Sequence, residues 1–374
     1  MNKRIGVLTG GGDAPGLNAA IRAVVHTSIG VYQNEVFGIR HGYGGLLEDE
    51  GVFPLDYKAV QGILPKGGTI LGAASGGNPF AIEFEEGGKT ITRDASKDVI
   101  NRIGELGLDM IVAIGGDGTM AIAQELIDRG APMVGIPKTI DNDVMGTEMT
   151  IGFDTAVGIA SDALDRLHTT AASHHRAMVL ELMGRYAGFI TLVAGISGGA
   201  DVILIPEIPF RYEAVCKKIQ ARIEQGTHFS LLAVSEGAHP VDEGRVYQEV
   251  DRVGGASPRL GGIGAQMVDY LESECGVQSR VTVLGHLQRG GTPSPYDRWL
   301  ASQFGTVAAR LADEGKEGRM AALQHGQVVD VDMKEAFAGA RQVDVDGIGV
   351  QTARGLGISM GDRYDPVFEM EELV

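Results

Sequence analysis

Short β-branched runs recur along this chain, each stopping at a glycine-rich or polar cluster, and amphipathic helical patterns often follow. The alternation is the grammar of an α/β protein with a largely parallel sheet, since parallel neighbours need crossover connections and helices supply them. Ile5–Leu8 stops at Thr9-Gly10-Gly11-Gly12-Asp13, Met110–Ile114 at Gly115-Gly116-Asp117-Gly118-Thr119, and Met133–Ile136 at Pro137-Lys138-Thr139-Ile140-Asp141-Asn142-Asp143. Met178–Leu182 runs into Met183-Gly184-Arg185, Leu231–Val234 into Ser235-Glu236-Gly237, and Val281–Leu284 into Gly285-His286-Leu287-Gln288-Arg289-Gly290-Gly291. Each cluster thus falls beyond the carboxyl end of an expected strand, where open α/β sheets bind ligands. After the first cluster, Leu17, Ile21, Val24 and Val25 keep helical spacing, with Asp13 or Asn18 available near the helix start.

At 374 residues the chain exceeds the roughly 250 at which single cores stop growing, so two domains are expected. Glycine, at 56 residues, is about twice its usual ~7% share, and its clustering points to several tight loops that approach ligands. A net charge of −17 with no offsetting Lys/Arg run disfavours nucleic acid and anionic membrane as partners. A small phosphate ligand stays compatible, because loop arginines and backbone N–H groups act locally while the global field is screened within about 8 Å. Cys216 and Cys275 form no motif, so neither a disulfide framework nor a structural zinc site is expected. No apolar run reaches the length of about 18 residues that spans a membrane, and the start is too short for a signal peptide, so a cytoplasmic address is expected.

The clusters differ in how much chemistry they carry. Gly10-Gly11-Gly12-Asp13 reads equally as a phosphate cradle and as a tight turn. Gly115–Thr119 adds a carboxylate: Asp117 suits Mg²⁺ beside a polyphosphate, or a helix cap. Thr139–Asp143 sets two carboxylates two residues apart, fitting proton acceptance from a hydroxyl and management of a metal, or a solvated turn. Arg176, Arg185, Arg280 and Arg289 lie beside strand ends with His286, and their recurrence in loops on the same sheet edge makes an array suited to a phosphomonoester, although each alone reads as a salt-bridge partner.

Together, Ile5–Thr9 with Gly11–Gly16, Gly67-Gly68-Thr69-Ile70-Leu71-Gly72, the Asp117 loop, Pro137–Asp143, Met183–Arg185, Gly285–Gly291 and Tyr296-Asp297-Arg298 resemble the phosphofructokinases over nearly the whole chain. The likeness is to the bacterial subgroup that mixes ATP-using and pyrophosphate-using members. It implies two similar three-layer α/β domains with mainly parallel sheets: residues 1–152 plus about 288–338 for the donor, and about 153–287 plus 339–374 for fructose 6-phosphate. It implies Asp141 as the base on the sugar 1-hydroxyl, aided by Asp143, Thr139 and Lys138, with Asp117 holding Mg²⁺. Gly12, Gly118 and Thr119 would line the donor phosphates. Thr139, Met183, Gly184, Arg185 and Glu236 would hold the sugar, and Arg176, Arg280, His286 and Arg289 its 6-phosphate. A homo-oligomer, tetramer or dimer, is implied as well.

The chain departs from the family pattern in places. Ala73-Ala74-Ser75-Gly76-Gly77-Asn78 lacks the arginine that follows the Gly-Gly-Thr-Ile-Leu-Gly run in relatives, which removes positive charge from the region of transfer. Ile122 stands where a small residue meets the nucleoside. Gly118 leaves room for a nucleotide, whereas Lys138 resembles the lysine of pyrophosphate users; the steric argument favours ATP, with pyrophosphate as the alternative. Arg22 persists, but His26, His168, Gln225 and Thr227 replace basic residues of the family's effector pocket, so strong regulation there is not expected. A weakly catalytic phosphosugar-binding relative is a competing reading. A lipid or NAD kinase would leave His286–Arg289 unexplained.

Overall fold

A computed structural model describes residues 2–73, 77–86, 89–248 and 259–363, and counts of elements refer to these. The chain passes through β1 (Arg4–Thr9), α1 (Leu17–Gly30), β2 (Glu35–Ile39), β3 (Val52–Pro54), β4 (Ile82–Glu86), β5 (Lys89–Arg93), α2 (Ser96–Glu105), β6 (Met110–Gly115), α3 (Asp117–Ile127), β7 (Met133–Pro137) and α4 (Phe153–His174). It continues through β8 (Ala177–Leu182), α5 (Phe189–Ser197), β9 (Val202–Leu204), α6 (Tyr212–Glu224), β10 (Ser230–Ser235), β11 (Tyr247–Gln248), β12 (Arg259–Leu260), α7 (Ile263–Ser273) and β13 (Ser279–Val283). Last come α8 (Pro295–Glu314), β14 (Arg319–Gln324), β15 (Gln327–Asp332) and α9 (Ile348–Gly355).

Two compact units result, Met1–Thr155 with Arg289–Arg341, and Ala156–Gln288 with Gln342–Val374. The first holds a seven-stranded sheet in the order β15-β14-β7-β6-β1-β2-β3. Its pairs from β14 to β2 are parallel, and β15 and β3 close the edges antiparallel. Successive side chains point to opposite faces, so a strand covered on both sides must be apolar throughout. In β6, Met110, Val112 and Ile114 meet α1 and α8 (Ile21, Val24, Leu300, Phe304). Ile111 and Ala113 face the other way, onto α2 and α3 (Val99, Ile103, Met120, Leu126). This is a three-layer α/β unit with a mostly parallel sheet, as the alternation of strand and helix signals requires.

The second unit holds a four-stranded parallel sheet, β13-β8-β10-β9. Val179, Leu204 and Leu232 pack on α6 and α7 through Val215, Ile219, Ile263 and Met267. On the opposite face, Gly195 of α5 lies so close to Ile203 that a Cβ would come within 2.6 Å of its side chain.

Two local expectations are corrected. α1 is capped by neither Asp13 nor Asn18, since its N-cap is Gly16 with no side-chain cap. Asn18 instead accepts from the Ile70 amide at 2.9 Å and donates to the Lys66 carbonyl at 3.0 Å, tying the 66–72 loop to the helix. Cys216 is bonded to Cys275 as a disulfide, with Cα atoms 5.9 Å apart. Their sequence separation of 59 hides that pairing in the sequence; it arises because α6 and α7 pack side by side on one sheet face.

Candidate active site

In the first unit β7, β6 and β1 are neighbours, so the clusters that follow them meet at one rim. The backbone stitches them together: the Gly10 amide donates to the Ile114 carbonyl at 2.9 Å and the Lys138 amide to the Gly115 carbonyl at 2.8 Å. Thr119 is buried between the first two loops. A Cβ on Gly115 would fall 2.3 Å from its hydroxyl oxygen and one on Gly10 2.6 Å away, so only glycine admits this side chain at those positions. The Tyr43 hydroxyl donates to the Thr119 carbonyl at 2.9 Å and fixes the first turn of α3. Gly118, one residue earlier, is exposed, and a Cβ there would meet no atom within 4 Å. The helix N-terminus beside it is left accessible to an anion.

The acid loop closes on itself. Ile151 bridges to Lys138, and the Thr150 hydroxyl donates to the Thr139 carbonyl at 2.7 Å. Asn142, at φ 55°, accepts from the Thr150 amide at 3.0 Å, and the Asp141 amide donates to the Thr139 hydroxyl at 3.1 Å. From outside, the Arg341 amide donates to the Asp143 carbonyl at 2.9 Å. Asp141 is only 4% exposed, while Asp143 and Thr139 are half-buried.

Lys138 links the loops electrostatically. Its ammonium donates to the Gly12 carbonyl, and the side chain is 3% exposed. Burial lowers its pKa from 10.5 to about 8, with the Arg289 charge adding to the drop, while Asp141, Asp13 and Asp117 oppose it. Three carboxylates from three loops therefore lie within electrostatic reach of one ammonium. Arg289 belongs to this unit too. It donates to the Asp13 carbonyl at 3.0 Å and lies against Gly12, where a Cβ would stand 2.9 Å from its guanidinium.

Asp117 is exposed in the first turn of α3. No three His, Cys, Asp or Glu side chains among the described residues form a metal-binding group. Mg²⁺ does not require one: it keeps several waters and takes one or two carboxylates together with substrate phosphates. A solvent-facing carboxylate beside a glycine loop and a helix N-terminus fits that donor set.

In the second unit, Met183–Arg185, Glu236 and His286 follow β8, β10 and β13, which are again neighbours. The Arg185 amide donates to the Glu236 carboxylate at 3.1 Å, the Glu236 amide to the Leu182 carbonyl at 2.7 Å, and Gly184 takes φ 145°. The Arg185 and His286 side chains are exposed.

The arginine array is not on one sheet edge, which corrects the sequence reading. Arg176 immediately precedes β8, and Arg280 is the second residue of β13, in register with Met178. Both occupy the amino rim, about 20 Å of strand away from Arg185 and His286 at some 3.3 Å per residue. Arg280 pairs with Glu272 at 2.9 Å and Arg176 donates to the Gln278 side chain at 3.3 Å. The sequence places each arginine beside a strand, but which end it occupies depends on where the strand begins.

Ile122 packs with α3 onto the core. His26 lies edge-on to Tyr57 at 5.0 Å and His168 edge-on to Phe229 at 5.1 Å; burial, with the Arg22 charge, lowers the His26 pKa. Ala74, Ser75 and Gly76, in the stretch without the family arginine, lie outside the described residues. Sequence reasoning passed over Tyr43, Thr150 and Arg341. Only the first had a visible signal, the Gly42-Tyr43-Gly44-Gly45 cluster after β2. Thr150 acts within its own loop, 8 and 11 residues from its partners, and Arg341 through a long-range backbone contact.

Residues 4–312 match the phosphofructokinase family. The chain is 49% identical over 362 residues to "ATP-dependent 6-phosphofructokinase 1" of Synechocystis sp. (strain PCC 6803), covering 96% of this chain and 99% of that one. It is 46% identical over 342 residues to "Pyrophosphate--fructose 6-phosphate 1-phosphotransferase" of Streptomyces coelicolor, covering 91% and 96%. Among solved structures, Pichia pastoris phosphofructokinase in the T-state superposes with a TM-score of 0.76 at 30% identity, over 90% of this chain and 36% of that longer one. Matched by the family model over residues 4–312 and by a relative 49% identical over 96% of its length, this chain belongs to the phosphofructokinase family.

Proposed function

We propose that this protein is an enzyme of the 6-phosphofructokinase type, moving the terminal phosphoryl group of ATP to the 1-hydroxyl of fructose 6-phosphate to give fructose 1,6-bisphosphate. The observation that carries this reading is the meeting of the Gly10–Asp13, Gly116–Thr119 and Lys138–Asp143 loops on three adjacent strands. A relative 49% identical over 96% of the chain is named ATP-dependent, which supports ATP as donor. The open space at Gly118 accords with it.

In this reading the first unit is the donor domain and the second the sugar-phosphate domain. Gly12, Gly118 and Thr119 receive the donor phosphates, and Asp117 holds Mg²⁺, which when bound neutralises developing phosphate charge. Asp141 accepts the hydroxyl proton, with Asp143 and Thr139 beside it. Lys138 sets a buried ammonium within electrostatic reach of Asp141. Met183, Gly184, Arg185, Glu236 and His286 take the sugar phosphate. Arg289 supplies positive charge near Gly12. Arg176 and Arg280, at the opposite rim of their own sheet, serve the 6-phosphate of another copy, so the working protein is a homo-oligomer, dimer or tetramer. A cytoplasmic enzyme fits this chemistry, and no helix among the described residues is long and apolar enough to cross a membrane.

Pyrophosphate is the second donor to test, because Lys138 is buried against the Gly12 loop and a relative 46% identical is named for pyrophosphate. Bisphosphate formation is measured with Mg²⁺, fructose 6-phosphate and each donor separately. Turnover with ATP is expected, and turnover with pyrophosphate alone would overturn the donor assignment. Binding of fructose 6-phosphate without turnover under either donor would overturn the enzymatic reading.

A further inference from the structure

We propose that Asp297 is a positioning residue, whose carboxylate sets where the acid loop stands relative to the glycine loop. It is fully buried in the first turn of α8, yet reaches the start of α4. It accepts from the Gly152 amide at 2.9 Å, the Thr155 amide at 2.8 Å and the Thr155 hydroxyl at 2.5 Å. Its own amide donates to the Ser294 hydroxyl at 3.1 Å, which in turn donates to Asp154 at 2.5 Å. The Ser294 amide donates to the Thr155 hydroxyl at 2.9 Å, closing a ring of Asp154, Thr155, Ser294 and Asp297. A lone α8 cap would need only Ser294; the three donors drawn from residues 152–155 do something else.

Those donors follow directly on the clasp that shapes the acid loop. Gly152 comes after Ile151, which bridges to Lys138, and Thr150, which bonds to Thr139 and Asn142 on either side of Asp141. The glycine loop crosses at the same point. Gly152 has φ 104° and a Cβ there would come 2.6 Å from that of Ala14; a Cβ on Gly16, at φ 107°, would come 2.5 Å from Ile151 and 3.7 Å from the Cβ of Asp297. Asp297 thus sits beneath the crossing of the two loops and bonds to neither reacting partner. Misplacing reacting groups by about 1 Å costs on the order of 100-fold in rate, so the expected signature is in kcat.

The inference rests on the reading of Asp141 as the base. Its test compares the wild type with Asp297→Asn, Thr155→Val and, as a control, Phe304→Leu in the core of the same unit. Each is assayed well below its melting temperature with ATP and fructose 6-phosphate. Asp297→Asn, which sets an amide N–H against backbone donors, lowers kcat by about 10- to 100-fold with KM for fructose 6-phosphate held within about twofold. Thr155→Val moves the same way, and Phe304→Leu lowers only the melting temperature. If Asp297→Asn fails to fold, Thr155→Val decides. Unchanged kcat in the folded variants, or a loss equal to that of Phe304→Leu, overturns the positioning role alone. A wild type with no turnover overturns the functional reading as well.

Discussion

The two carboxyl rims of this protein are built on different principles. In the first unit Asp141 and Lys138 are almost wholly buried, and backbone hydrogen bonds, a clasped loop and a buried carboxylate define their surroundings. In the second, Arg185 and His286 project exposed side chains from a well-defined backbone. Groups that exchange protons or meet developing charge gain from dry, preorganised surroundings. Groups that take a soluble sugar phosphate, the role proposed for Arg185 and His286, must first be reached from water. The difference separates the two rims kinetically: damage to the first should appear in kcat, damage to the second in KM.

The sharpest way to break that contrast is Asp141→Asn. Asp141 is the proposed general base, and removing such a group costs about 10²- to 10⁴-fold, so bisphosphate formation should fall by that order while fructose 6-phosphate binding, measured by calorimetry, changes little. Arg185→Ala should do the reverse, raising KM for fructose 6-phosphate by about 10- to 100-fold, since a hydrogen bond to a charged group contributes about 1.5–3 kcal/mol. A kcat loss with KM unchanged in that variant would erase the distinction.

Lys138 offers a test by pH. Its pKa falls from 10.5 to about 8 on folding, so between those values the unfolded chain binds more protons than the native one. Stability contributed by this group therefore rises with pH across the window. Denaturant midpoints taken through it should show a steeper upward trend in the wild type than in Lys138→Met; parallel curves would mean that the ammonium is not desolvated. The smallest effect is expected at the amino rim of the second unit. Arg280 and Glu272 form an exposed pair, so Arg280→Ala should cost less than about 1 kcal/mol in thermal unfolding. A larger loss would show that this rim is as tightly built as the other.

The chain by itself determined the layers and the position of its reactive loops. Apolar runs of strand length ending at glycine or acid clusters can be satisfied only by a sheet covered on both faces, so Asp117, Asp141, Met183, Glu236 and His286 all had to follow strands. Such signals are local, carried by a few consecutive residues, and survive without knowledge of the neighbours. Tertiary structure alone decided which rim each arginine occupies, that Arg289 turns to the Gly12 loop, that Cys216 meets Cys275, and that Asp297 stands under the junction of two loops. Those outcomes join residues 59 to 276 positions apart. No periodicity or motif encodes contacts at that range; they exist only once packing of helices on the sheets has fixed which backbone amides and charges are left facing one another.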